Sequence, residues 1–551
     1  MHQGNSTIHH AAMLLTCAVL LLAACGAREQ AVPATAASGA TAAGGRGSAA
    51  AAPAAAGAHA DANGIQWFNG DVDAAFAAAH TEHKPVFLYW GAIWCPPCHQ
   101  IKATVFTRPD FIEKTRQFIA VYLDGDDAGA QKAAEQFNVT GYPTLVVLNE
   151  KREELTRIAS GMDLSLYANV LDLALGEAKP AGALLTAAAA GRALSETECK
   201  QLAYTAWGLE DVDASTYAIQ GQRLHAAAQQ CPATLRKERA RLEYVATGYL
   251  ADDEHAALKG GAAPSGALKL QMATIYALLG DDDTGAANAD MIAYLSDSFF
   301  LAARSAGTPT AAQFFQRFSA ATDAAVKRSE FTEADHLLSI ASRLQAAKVL
   351  NGSIDPALAA AARARVEAAL AGKQIPYVRS SIINSVLWVL DVQGQTEEAY
   401  RVVQAEVPNS ETAYYYKADL ADLAEQLGRK DEALEWSRQA YAESKGSATR
   451  FQWGRLYLTA LLRLKPDDAA TIRSVGIQVL KELDGTDRIY RRARTRLVQL
   501  DGDLRKWSES AAPARTPVLR ALRQQLQGTC TRIPAAEAAR ASCDAFLAGV
   551  V

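Results

Sequence analysis

At 551 residues the chain is too long for one ordinary hydrophobic core and falls among proteins of roughly two to four domains. It is 50% hydrophobic and 21% charged, with a formal net charge of -5 at pH 7, the balance of a soluble globular protein. There is no basic excess of the kind that nucleic-acid binding requires, so no nucleic-acid partner is expected.

The first element in chain order is the apolar run Met13 to Ala24, MLLTCAVLLLAA. It is too short to span a bilayer and has the length of a secretory h-region. It ends in Leu22-Ala23-Ala24-Cys25-Gly26, which resembles the lipobox of bacterial lipoproteins. The resemblance implies a signal peptide over 1–24, cleavage before Cys25, a lipid anchor on Cys25 and a periplasmic location, with the outer membrane as the expected host. One departure is that no Lys or Arg precedes Arg28.

Residues 25–60 are dominated by Ala, Gly, Ser and Pro, with too few large apolar groups to offset the entropy of ordering. Such a linker, behaving as a flexible coil, reaches on the order of 30 Å. From 61 to 178 strand and helix signals alternate. Pro85 to Trp90, Phe118 to Leu123 and Thr144 to Leu148 are continuously apolar, as in strands covered on both faces. Asp71 to Ala79, Cys95 to Val105 and Gly129 to Phe137 read as helices between them. One strand is expected before Asp71, and a strand and a helix after Leu148, giving an α/β sandwich.

Within this segment Trp94-Cys95-Pro96-Pro97-Cys98 follows an apolar strand and opens a helix. A sulfur at a helix N-terminus faces amides whose partial positive charge favours thiolate over thiol. Cys95 is therefore the expected nucleophile, and Cys98, one turn further in, the resolving thiol. A zinc site needs two more ligands, His99 is badly placed to be one, and no second C-x-x-C follows, so neither metal nor cofactor is expected. A purely structural disulfide here would close too small a loop to stabilise much.

Further on, Gly141-Tyr142-Pro143-Thr144 leads into the last of the three apolar strands. Together the two motifs resemble the thioredoxin family, with its WCxxC at Trp94, Cys95 and Cys98 and its cis-proline at Pro143. Lys84-Pro85-Val86, Val105 to Asp110 and the Tyr-Pro-Thr turn look closest to the periplasmic C-terminal domain of thiol:disulfide interchange proteins. The resemblance implies a thioredoxin-like fold over 61–178 and a protein-disulfide oxidoreductase of reductase or isomerase type. It implies exported clients with cysteines, contacted through Trp94, Tyr142 and Pro143, and an upstream membrane electron donor. Pro96 and Pro97 would tune the redox poise. The family often has a buried aspartate six residues before the first cysteine; here that position is Tyr89.

From 179 to 551 strand signals nearly vanish and Ala/Leu-rich amphipathic stretches follow one another, as in an all-helical region. Gly394-x-x-x-Glu398-Ala399 recurs as Gly428-x-x-x-Glu432-Ala433, a period of 34 residues, with a looser copy at Ser329-x-x-x-Glu333-Ala334. The period resembles tetratricopeptide repeats and implies helical hairpins holding a protein ligand. An irregular helical bundle is the alternative. With Cys17 in the signal and Cys25 lipidated, six of the eight cysteines remain. In an oxidising compartment Cys199 with Cys231, and Cys530 with Cys543, are expected disulfides.

Other signals read as structural. His80-Thr-Glu-His83 lacks the HExxH order and sits at a helix end, Asp124 to Asp127 lies where an acid caps the next helix, and Arg488 to Arg496 reads as a solvated helix face. Two functions stay open: a lipid-tethered thiol:disulfide oxidoreductase, and an interaction scaffold whose redox domain is vestigial or senses redox state.

Overall fold

A run of six residues without a charge, Val86–Gly91, forms β1, and every one of them is buried. In the computed structural model, which describes residues 64–158, 164–176, 178–208, 213–327, 331–485 and 489–550, this strand is central to a four-stranded sheet. The expected signal segment, Cys25 and the linker to residue 60 lie outside the described residues. The sheet order is β2 (Ile119–Asp124), β1, β3 (Thr144–Leu148), β4 (Glu154–Ile158). β2 runs parallel to β1, whereas β3 and β4 are antiparallel to their neighbours.

Helices cover both faces. On one face Val86, Leu88, Trp90, Val146 and Leu148 pack with α1 (Val72–Glu82) and, later in the chain, α4 (Ala128–Gln136). On the other, Phe87, Tyr89, Leu145 and Val147 pack with α2 (Pro96–Thr104), α3 (Pro109–Thr115) and α5 (Leu164–Leu173). Burial on both sides explains why the strands are continuously apolar rather than alternating.

Two elements differ from expectation. The strand expected before α1 does not form: residues 64–70 have no regular structure, and Phe68 N–H donates to the Ala120 carbonyl at 2.7 Å. This stretch is interrupted by Gly64 and Gly70, and Trp67 packs against the rings of Phe87, Tyr89, Phe106 and Tyr122 instead of extending an alternation. The helix α3 was not anticipated, although Pro109 at its first turn and Asp110 beside it are start signals, and Phe111 anchors it in the core.

The rest of the chain is helical among its described residues, and none of these helices is long and apolar enough to cross a membrane. The 34-residue copies are helical hairpins: Pro376–Val392 with Thr396–Glu406, and Ala413–Gln426 with Lys430–Glu443. Gly394 and Gly428 follow their first helices at φ 72° and 75°, where a side chain would be strained. Ala399 and Ala433 are buried where the second helices approach. Of the looser copy, Ser329 lies outside the described residues, and Ala334 is buried in the helix Glu333–Asn351.

Cys199, in the helix Glu196–Tyr204, is bonded to Cys231, which ends the helix Tyr217–Gln230. Cys530, the last residue of Ala512–Cys530, is bonded to Cys543 in Ala538–Ala545. The helical half also covers part of the β4 edge of the sheet. Gln201 donates to the Leu155 carbonyl at 2.6 Å and Ala206 N–H to the Arg157 carbonyl at 2.7 Å, pairing two acceptors of that edge.

Candidate active site

Strand register brings distant segments to one end of the sheet. Trp90 pairs with Thr144 and Gly91 with Asp124, so the turn after β1, the turn after β2 and the residue before β3 are neighbours. These three places carry Cys95, Asp126 and Pro143. Two of them lie beyond the carboxyl ends of parallel strands, where α/β sheets place their sites.

Cys95 is the N-cap of α2 and its sulfur accepts the Cys98 amide at 3.2 Å. Pro96 opens the helix, where a missing N–H costs nothing. Cys95 and Cys98 are bonded to each other, with Cα atoms 5.2 Å apart. The Tyr142-Pro143 peptide is cis, and the Tyr142 ring centroid is 6.1 Å from that of Trp94. Among the described residues no three His, Cys, Asp or Glu side chains are grouped to hold a metal ion.

The site is covered by the chain's own helical half. Cys95 is 3% exposed and Cys98 0%. Trp94, Tyr142 and Pro143, expected to meet a client, are buried as well. Trp94 stacks on Tyr415 at 6.3 Å, meets the edge of Trp453 at 5.7 Å and lies under the Arg492 guanidinium. That cation also sits 4.8 Å from the Tyr142 ring. On the far side of α2, Ser381 donates to the Pro96 carbonyl at 2.9 Å and Gln100 to Thr332 at 3.0 Å. One apolar cluster therefore runs unbroken from the sheet through both sulfurs into the helical half.

His99 ties the cysteine loop to this cover. Burial drives its pKa down to about 4, so the ring is neutral. Nε2–H then donates to the Ile93 carbonyl at 2.6 Å, and Nδ1 accepts the Ser380 hydroxyl at 2.8 Å, while Tyr377 stacks on the ring.

Three residues carry the contact, and the sequence reading assigned none of them to the site. Asp126, next to the α4 N-cap Asp127 in the segment read as a helix cap, accepts from Trp94 Nε1 at 3.0 Å and from the Thr449 hydroxyl at 2.5 Å. Its backbone carbonyl takes the Ala448 N–H at 3.2 Å. Gly446 opens the turn that delivers Ala448 and Thr449. Arg492 belongs to the run read as a solvated face, yet its neighbours point the same way: Arg494 pairs with Glu135 at 2.9 Å and Arg491 donates to Asn138 at 2.7 Å. Arg488 lies outside the described residues. By contrast, His80 is exposed and His83 closes α1 in a left-handed conformation at the surface, as a helix-end reading expects.

Burial pushes the Asp126 carboxyl above its usual range, against the opposing effect of its donors Thr449 and Trp94. A carboxyl with a raised folded pKa favours the folded state below its unfolded pKa, and that contribution is lost as pH rises through the folded value. Asp126→Asn keeps an oxygen for both donors and has no charge to desolvate. Its thermal midpoint should thus fall less than wild type between about pH 4 and 7, and parallel curves would show that Asp126 titrates normally in the fold.

No curated protein matches the chain. Residues 72–175, which hold the four strands, the Cys95–Cys98 disulfide and Pro143, match a family model described as a thioredoxin-like domain. The chain therefore carries a thioredoxin-like α/β domain followed by an all-helical region.

Proposed function

We propose that the chain is an exported thiol:disulfide oxidoreductase of reductase or isomerase type, held at a periplasmic membrane surface by lipid on Cys25. It acts on cysteine-containing exported proteins through Cys95 and Cys98 and draws electrons from an upstream membrane dithiol donor. The observation that carries this reading is the bonded pair at the N-terminus of α2, beside the cis peptide before Pro143. Three disulfides suit an oxidising compartment, which supports export.

In the reducing direction the Cys95 thiolate attacks a client disulfide, forming a mixed disulfide and releasing one client thiolate. The Cys98 thiolate then attacks Cys95 Sγ, expels the second client thiolate and restores the Cys95–Cys98 bond. Two electrons pass to the client, and the donor dithiol replaces them as it becomes a disulfide. With Tyr89 where the family often places an acid, the proton of Cys98 leaves through another group or water.

A redox titration tests the reading. The full chain, equilibrated to constancy against a glutathione series and then alkylated, should show Cys95 and Cys98 titrating together as a two-electron couple. A midpoint near thioredoxin's, about -270 mV, marks a reductant, and a much more positive one an oxidant. A pair that never titrates across the series overturns the proposal. The scaffold reading is favoured by the burial of Cys95, which is 3% exposed.

A further inference from the structure

Thiol–disulfide exchange needs a third sulfur to approach Cys95 along the existing bond, so access governs its rate. In this structure everything a protein client would touch is occupied from within the same chain. The occupation has the character of recognition rather than incidental packing. A tryptophan beside the nucleophile is held between aromatic rings and under a cation, and a turn from the helical half makes one main-chain and one side-chain hydrogen bond to Asp126.

That turn is shaped for its place. Gly446 lies at φ +87°, and a Cβ there would stand 2.3 Å from Asp126 Cγ, so this position takes neither the conformation nor the bulk of another residue. Along the seam with α2 lies a cavity of about 70 Å³ lined by residues including Gln100, Thr104, Ser381 and Ile382, too small for a peptide.

We infer that the helical half is an intramolecular cap whose ligand is the dithiol face of its own thioredoxin-like domain, and that protein clients gain Cys95 only when the turn at 446–449 and Arg492 let go of Asp126 and Trp94. This rests on the reading of Cys95 and Cys98 as an exchange site. It changes the role of the helical region, from a holder of outside proteins to a competitor with them.

The test uses the full chain and a small reagent, so that access is measured apart from activity. Wild type and Gly446→Val are treated with dithiothreitol, and free thiols are alkylated and located by mass. The Cys95–Cys98 disulfide should be reduced at least tenfold faster in Gly446→Val, while Cys199–Cys231 and Cys530–Cys543 in the same molecules keep their rates. Equal Cys95–Cys98 rates in the two chains overturn the cap. Faster reduction without any insulin reduction by the opened chain upholds the cap and overturns the exchange reading. If Gly446→Val loses its far-ultraviolet helical signal, Thr449→Val with Arg492→Ala decides on the same rates, since that pair removes contacts without adding bulk.

Discussion

Adding Cys95→Ser to a Gly446→Val chain should bring insulin reduction with dithiothreitol down to the uncatalysed rate. The Cys95 sulfur is the one at the N-terminus of α2, where the helix amides favour its thiolate, and it accepts the Cys98 amide. Cys98 is fully buried behind it and cannot take over the attack on a client. Cys98→Ser in the same background should behave differently. It retains the first attack but has no thiol of its own to break the mixed disulfide, so once reduced and freed of dithiothreitol it stops after one event and a one-to-one adduct through Cys95 accumulates on non-reducing gels. Full turnover by the Cys95→Ser chain would place the chemistry elsewhere. If neither opened chain nor variant reacts with insulin, the scaffold reading gains, because there is then no exchange to lose.

Replacing Arg241 with methionine should destabilise the chain by about 3–5 kcal/mol. Arg241 and Asp290 form a two-pronged ion pair, 2.9 Å on each side, with side chains only 3% and 2% exposed. The guanidinium also lies 5.1 Å from the ring of Tyr204, which packs in the core beneath the thioredoxin-like sheet. Removing the cation leaves a carboxylate buried without its charge partner, and that desolvated charge is the main cost. The double replacement Arg241→Met with Asp290→Leu should recover most of the loss, since an apolar pair of similar volume needs no desolvation. Urea unfolding followed by helical circular dichroism measures both. A single replacement within about 0.5 kcal/mol of wild type, the range of ordinary surface changes, would mean that the pair is hydrated.

Local chemistry accounts for much of what could be read without a structure. Burial on two faces makes Val86 to Trp90 continuously apolar, and a proline, Pro96, marks the start of α2; Pro109 carries the same signal for a helix that the periodicity does not announce. Gly394 and Gly428 announce turns because only glycine takes their left-handed backbone at no cost. Cys199 and Cys231 are 32 residues apart, the span of one helical hairpin, so their pairing too is a short-range matter. Misreadings arose where a local pattern had a non-local use. Asp127 of the acidic segment does stand at the N-cap of α4, but its neighbour Asp126 is taken by Thr449 Oγ1, 323 residues away. Arg491, Arg492 and Arg494 look like a solvated face because aspartates flank them, but their partners are Asn138, Trp94 and Glu135.

By itself the sequence determined the three apolar strands and most of the helices around them, the cysteine pair on its helix N-terminus and the order of an α/β domain before a helical one. All of these follow from backbone preferences and side-chain periodicity within a few tens of residues. Only the tertiary structure decided that the pair is covered, and by what. Contacts between residues hundreds of positions apart depend on how whole elements pack, and no period or spacing along the chain encodes them.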